Sequence, residues 1–260
     1  MKVAAVGFSC MDVYENLDKS YPTGNGVDFA VNLAKLGVET SVVSAVGNDD
    51  YGRETVKTLN RYHIDTSHLQ VNRGNTAVIK MSMIGNDRVH GDETEGVMAN
   101  FSLRDEDFEF IKKHEYIHTD YFGRIYGLLP YFRKAGCKVV FDFSTFLNDK
   151  DIALILPNVD YAFFSCQDYN DSVRDFLVHA KQAGPKTVTA TLGENGSLSY
   201  DGLKFYQHGI VPVKVVNTVG AGDSYIAGFM YGIINGKSIP ECQQLGAEIS
   251  SKVIQNFEPY

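Results

Sequence analysis

The chain has no pair of cysteines at metal or redox spacing. Cys10, Cys137, Cys166 and Cys242 lie 127, 29 and 76 residues apart. There is no Cys-x-x-Cys and no Cys/His cluster with zinc spacing, which argues against a structural metal. Reduced thiols of a cytoplasmic protein are the expectation. No apolar run approaches the roughly 18–20 residues that cross a bilayer, so no membrane partner is expected. The opening Met1-Lys2-Val3-Ala4-Ala5-Val6-Gly7 lacks the apolar stretch and cleavage pattern of a secretory signal. A cytoplasmic location follows as an expectation. Basic charge is also short: 24 Lys and Arg face 32 Asp and Glu, a net charge of −8. A general nucleic-acid binder needs a basic stripe to neutralise phosphates, so that class is excluded. A small anion held by backbone amides is not.

What is present is globular. Hydrophobic residues make up 44% and charged residues 22% of 260 positions, enough for a full core. No repeat, linker or low-complexity tract interrupts the chain. One domain over residues 1–260 is the economical reading.

Short apolar runs alternate with helical patterns. Strands are expected at Val3–Phe8, Ser41–Val46, Glu115–His118, Lys138–Asp142, Val159–Phe164 and Thr187–Thr191. Helices are expected at 27–36, 52–62, 105–113, 124–135 and 170–183, with Gly37, Gly136 and Gly184 as left-handed stops. This alternation implies an α/β fold, a mostly parallel sheet with helices on both faces. Two hairpins break the rhythm. Thr76–Ile84 ends in Gly85-Asn86-Asp87, a turn signal. Gly196–Tyr200 and Leu203–Tyr206 flank Asp201-Gly202, which favours a type I′ turn.

The strongest chemical signal lies near the C-terminus. Val211–Val216 reads as a strand. Asn217-Thr218-Val219-Gly220-Ala221-Gly222-Asp223-Ser224 follows. Ile226, Phe229, Met230, Ile233 and Ile234 then recur at helical spacing. A small-residue turn at a helix start lets free amides and the helix dipole meet an anion. Asp223 in that first turn can accept a proton from an attacking hydroxyl. Together these are the parts that phosphoryl transfer needs. An ordinary strand–helix connection capped by Asp223 is the plainer alternative. Neither a Walker A loop nor a GxGxxG turn after the first strand is present.

The segment 217–224 resembles the D-T-x-G-A-G-D-[ST] signature of the ribokinase (PfkB) carbohydrate kinase family. Other segments resemble that family in order: Val6-Gly7 with Asp12, Gly24-Asn25-Gly26-Val27-Asp28 with Ala30, Asn32 and Ala34, Val46–Gly52, and Thr191-Leu192-Gly193-Glu194-Asn195-Gly196. The set covers essentially the whole chain. Segments 86–92, 94–99, 47–52 and 191–197 resemble more narrowly its bacterial fructoselysine 6-kinase branch. The resemblance implies a ribokinase-like, doubly wound sheet with a small β-sheet lid from segments near 10–22 and 72–100. A homodimer through that lid is also implied, and open strand edges favour it.

The same resemblance assigns roles. Asp223 becomes the catalytic base, and Gly220, Ala221 and Gly222 the anion hole. Asp12, Gly24, Asn25 and Asp28 become sugar ligands. Arg88, Asp92 and Glu95 would lie over the sugar, and acidic groups there would attract a substrate amine. A solvated charged loop is the alternative for these three. Thr191, Gly193, Gly196, Ser165, Asp168, Ala247 and Ser251 would serve the nucleotide. Mg2+ would arrive on the ATP phosphates, with Asp168 acting through water and no direct protein ligand. The paired Asp49-Asp50 reads as loop-forming. Three positions depart from the family pattern. Asn217 replaces an Asp linked to a monovalent-cation site, which argues for weak potassium dependence. Ser165-Cys166-Gln167-Asp168 stands in for N-x-x-E. Thr23 and Asp28 replace a usual glycine and asparagine. The implied activity is ATP-dependent phosphorylation of the 6-hydroxyl of fructoselysine. A sibling kinase for another sugar, sugar acid or Amadori compound, and a non-catalytic sensor, remain alternatives.

Overall fold

The computed structural model describes residues 1–84, 87–167 and 169–260, apart from the side chain of Asp87. The chain runs β1 (Lys2–Val6), β2 (Cys10–Tyr14), β3 (Lys19–Thr23), α1 (Asn25–Lys35), β4 (Glu39–Gly47), α2 (Asp50–Arg61), β5 (Leu69–Asn72), β6 (Ala77–Ile84) and β7 (Asp87–Thr94). It continues through α3 (Asp105–Ile111), β8 (Tyr116–Asp120), α4 (Leu129–Lys134), β9 (Lys138–Asp142), α5 (Ile152–Ile155), β10 (Tyr161–Ser165), α6 (Asp171–Gln182) and β11 (Thr187–Thr191). It closes with β12 (Ser197–Tyr200), β13 (Phe205–His208), α7 (Ala221–Ile234) and α8 (Ile239–Val253).

A nine-stranded sheet has the order β13-β12-β11-β10-β9-β8-β1-β4-β5. From β11 to β5 every pairing is parallel, and the β12–β13 hairpin adds antiparallel strands at one edge. Period-2 geometry sends alternate residues of one strand into different cores. Ala4 and Val6 join the core that also holds Phe132 and Leu177. Val3 and Ala5 join the core that holds Phe29, Leu59 and Phe229. Helices therefore cover both faces, as buried parallel strands require. The sequence changes direction across the sheet between β1 and β8. That switch point is where an open α/β sheet leaves a ligand crevice, outside the carboxyl ends of the strands.

The second sheet, β3-β2-β6-β7, is the lid. Its β2 pairs parallel with β6, while both hairpins are antiparallel. Tyr14, Tyr21 and Met81 pack on Val219, so the lid base touches the small-residue turn before α7. Asp49 locks the lid root to α2. Its carboxylate accepts from Gly52 N at 2.9 Å, Thr76 N at 2.8 Å and Thr76 Oγ1 at 2.6 Å. The Asp49-Asp50 pair is thus architectural at its first member.

Three expectations are corrected. Val211–Val216 forms no strand. Its side chains do alternate between half-buried and exposed, but Pro212 donates no amide. Of its amides, Val216 alone makes a backbone bond among the described residues, to Ile254 O at 2.8 Å. The helix expected over 124–135 begins only at Leu129, after a 3-10 turn over Tyr126–Leu128. Pro130 suits a helix start and not an interior. The Asp201-Gly202 turn is not type I′, because Asp201 is not at positive φ. The loop instead spans 201–204, where Asp201 Oδ1 accepts from Leu203 N at 2.8 Å and Lys204 N at 2.9 Å.

Candidate active site

The start of α7 offers the geometry an anion needs. Gly220 sits at φ 70°, and a Cβ there would come within 2.7 Å of the Pro259 carbonyl oxygen. Only glycine fits that position. A Cβ on Gly222 would meet nothing within 4 Å, so this residue faces open space. Among the described residues the amides of Gly220 and Gly222 find no acceptor, the Asp223 amide lies against its own carboxylate, and Ala221 N and Ser224 N are bonded to Thr218 O and Gly220 O. Two free donors therefore point out of a positive helix end. The turn is held from behind. Ser250 Oγ on α8 donates to Ala221 O at 3.0 Å, and Ser224 Oγ donates to Gly220 O at 2.6 Å. Buried Asn217 accepts from Val219 N at 3.1 Å and donates to Phe257 O at 2.9 Å.

Five carboxylates face the crevice beside this turn. Asp223 Oδ1 is buried without a partner among the described residues. Burial, then the charge of Asp142, pushes its carboxyl up to about 8, against the pull of Arg88. Asp28 on α1 accepts from Thr23 Oγ1 at 2.7 Å through one oxygen, and its Oδ1 is orphaned. Burial and the charge of Asp223 hold it well above the carboxylate range. Asp12 on β2 has an orphaned Oδ2, and burial lifts it to about 6. Asp142 ends β9 and accepts from Asn25 Nδ2 at 3.1 Å and Ser144 N at 2.8 Å; burial raises it too. Asp120 ends β8 and accepts from Gly123 N at 2.6 Å, while its Oδ2 is orphaned. Burial, opposed by that amide and helped by Asp142, pushes it up to about 7. Buried polar atoms are normally paired. Orphaned oxygens on four of these groups leave acceptor sites for ligand hydroxyls.

The structure brings Asp12, Asn25, Asp28, Arg88 and Asp223 into one electrostatic neighbourhood. Half-buried Arg88 on β7 lowers the affinity of Asp12, Asp28 and Asp223 for protons. Gly24, at φ 115°, lies so close to Phe8 O that a Cβ would sit 2.3 Å away. Asp92 is exposed. Glu95 is also exposed and pairs with Arg124 at 2.6 Å, so it already has a cation. On the other side, Ser165 ends β10 and Thr191 ends β11, their hydroxyls 3.3 Å apart. Gly193 has open space at its Cβ, while Gly196 at φ 82° abuts His208 O. Ser197 ties this loop to the helices: its Oγ accepts from Tyr225 Oη at 2.8 Å and Gln243 Nε2 at 3.2 Å. Ala247 and Ser251 are buried on α8, where the Ser251 hydroxyl donates to Glu248 O at 2.8 Å. Asp168 lies outside the described residues. Asp120 and Asp142 were missed in the sequence reading. Their one sequence signal is an aspartate closing an apolar strand run, as in YIHTD and KVVFD.

A doubly wound sheet, a lid, an open helix start with unbonded amides and an adjacent carboxylate are the parts of a phosphotransferase acting on an alcohol. The pfkB family carbohydrate kinase profile matches residues 2–260, and the chain belongs to that family. It is 36% identical to the fructoselysine 6-kinase of Shigella flexneri, over 97% of each chain. It is 30% identical to a fructosamine kinase of Bacillus subtilis (strain 168), over 97% of this chain and 90% of that one. Among solved structures it resembles Arabidopsis thaliana ribokinase complexed with ribose and ATP. There the TM-score is 0.82 at 20% identity, covering 99% of this chain and 93% of that one. No helix among the described residues is long and apolar enough to cross a membrane.

Proposed function

We propose that this carbohydrate kinase transfers the γ-phosphoryl group of ATP to the 6-hydroxyl of fructoselysine. The observation that carries the reading is the pairing, in one helix turn, of two unbonded amides with the Asp223 carboxylate, whose Oδ1 is orphaned. The relatives supply the acceptor class. Asp12, Asn25 and Asp28 hold the sugar so that its O6 meets Asp223. As the O6–P bond forms, Asp223 takes the hydroxyl proton. The P–O bond to the leaving ADP breaks and its electron pair departs with ADP. The Gly220 and Gly222 amides stabilise the equatorial oxygens in flight, and the Ala221 amide, bonded to Thr218 O, holds the turn instead. Thr191, Gly193, Gly196, Ser165, Ala247 and Ser251 line the nucleotide side. Asp223 and Asp142 would face a divalent ion brought in with ATP, and Mg2+ would supply charge neutralisation there. The chain works as one domain, its four-stranded sheet closing over the sugar and pairing two copies by its free edges.

A coupled ADP-release assay over a panel of acceptors tests this. Fructoselysine should give the highest kcat/KM. Turnover confined to plain sugars or sugar acids would assign the sibling activity, and ligand binding without turnover would assign a sensor.

A further inference from the structure

Carboxyl groups outnumber cations in the crevice. Arg88 opposes Asp12, Asp28 and Asp223, whereas Asp120, besides its burial, feels the charge of Asp142. Sugar hydroxyls fill carboxylate lone pairs but leave their charge in place. On the lid, Glu95 has Arg124, Glu15 has Lys80 at 2.9 Å, and Asp92 lies within the field of Lys80. Asp120 and Asp142 close β8 and β9 at the main sheet.

An aromatic arch stands over it. Phe8 follows β1, Phe122 follows β8 and Phe146 follows β9. Ring centroids are 5.8 Å apart for Phe8 and Phe122, and 6.1 Å apart for Phe122 and Phe146. Phe8 is buried, but Phe122 is 41% and Phe146 40% exposed. Large apolar rings left open at a ligand crevice mark a binding surface. Asp120 lies at the foot of the arch, 2% exposed, with Oδ2 unpartnered. Its two oxygens are each 3.7 Å from where a Cβ on Gly7 would stand, directly before Phe8 in the chain. An open aromatic face beside a carboxylate is the chemistry that recognises an organic ammonium. A bare sugar has no such group.

We propose that Phe122 and Phe146, with Asp120 at their base, bind an alkylammonium group carried by the acceptor sugar. This rests on the amine-bearing acceptor proposed above, and it makes the arch the element that selects amino-substituted sugars over plain ones.

The test is the ratio of kcat/KM for fructoselysine to kcat/KM for fructose. It is measured for the wild type, for a Phe122→Leu/Phe146→Leu double variant, and for Asp120→Asn. Leucine keeps apolar bulk at two exposed positions and removes the π face; thermal melting verifies the fold of each protein. The ratio should fall at least fivefold in the double variant and at least tenfold in Asp120→Asn. A change under twofold in either overturns the proposal, as does a wild-type ratio near one. A wild type that phosphorylates fructose but no amine-bearing sugar overturns the acceptor assignment itself, a separate and distinguishable failure.

Discussion

Thr23 donates its hydroxyl to Asp28 at 2.7 Å inside the crevice. These are the two positions at which the crevice departs from the family's usual glycine and asparagine, and the bond makes them a unit. Asp28 is already lifted by burial, and the Thr23 bond pulls against that lift. Thr23→Val removes the donor and leaves a buried carboxylate with both oxygens unserved. A hydrogen bond to a charged group contributes about 1.5–3 kcal/mol. Acceptor kcat/KM should therefore fall about ten- to a hundredfold, with the KM for ATP changed less than twofold. Equal damage to both substrates would place Asp28 outside sugar recognition.

The glycines of the anion turn should separate by mechanism. Gly220→Ala meets Pro259 and a left-handed backbone, so it should lower the melting temperature. Gly222→Ala meets open space, so the melting temperature should hold. Its methyl nevertheless occupies the space proposed for the phosphoryl group. The N–H stays, but a methyl that keeps the phosphoryl oxygens off it should cost what removing an oxyanion donor does, about 10²–10³ in kcat. A fully active Gly222→Ala would show that no phosphate passes there.

Much of the fold was legible because buried parallel strands are short β-branched runs. Lys138–Asp142 and Thr187–Thr191 match their observed bounds. Val211–Val216 misled because alternation reports one-sided burial, which an extended loop against a helix also produces. The Gly-Ala-Gly-Asp turn was legible because consecutive residues form the helix start, although Pro259 and Ser250 that back it come from the far C-terminal segment. Asp120 and Asp142 were not. They meet Asp223 only through the strand order, which sets β8 beside β1 and β9 beside β8. The ring of Phe122 joins Phe8 across 114 residues of chain for the same reason.

The pH profile should have an alkaline-shifted acid limb. A base works deprotonated, and the Asp223 carboxyl titrates at about 8 because of burial and Asp142. Activity should thus rise as pH passes through about 8, seen in kcat/KM, which reports the free enzyme. Asp142→Asn removes the largest charge that raises Asp223, so the limb should move to lower pH. A limb that stays put in Asp142→Asn would uncouple the two groups.

Monovalent cations should matter little. Val219 N–H needs an acceptor, so Asn217 turns Oδ1 toward it and presents its NH2 to the Phe257 carbonyl. An amide donor on that carbonyl does by hydrogen bonding what a cation would do by coordination, and this donor set does not fit a bound cation. Rates in potassium and in tetramethylammonium should agree within twofold. A several-fold potassium gain would contradict this.

The most direct measurement is single-turnover phosphoryl transfer by Asp223→Asn, with nucleotide affinity measured alongside. A general base contributes about 10²–10⁴-fold. The transfer rate should fall by that order, while the affinity for ATP stays within threefold. A variant that keeps more than a tenth of the wild-type rate would contradict the account.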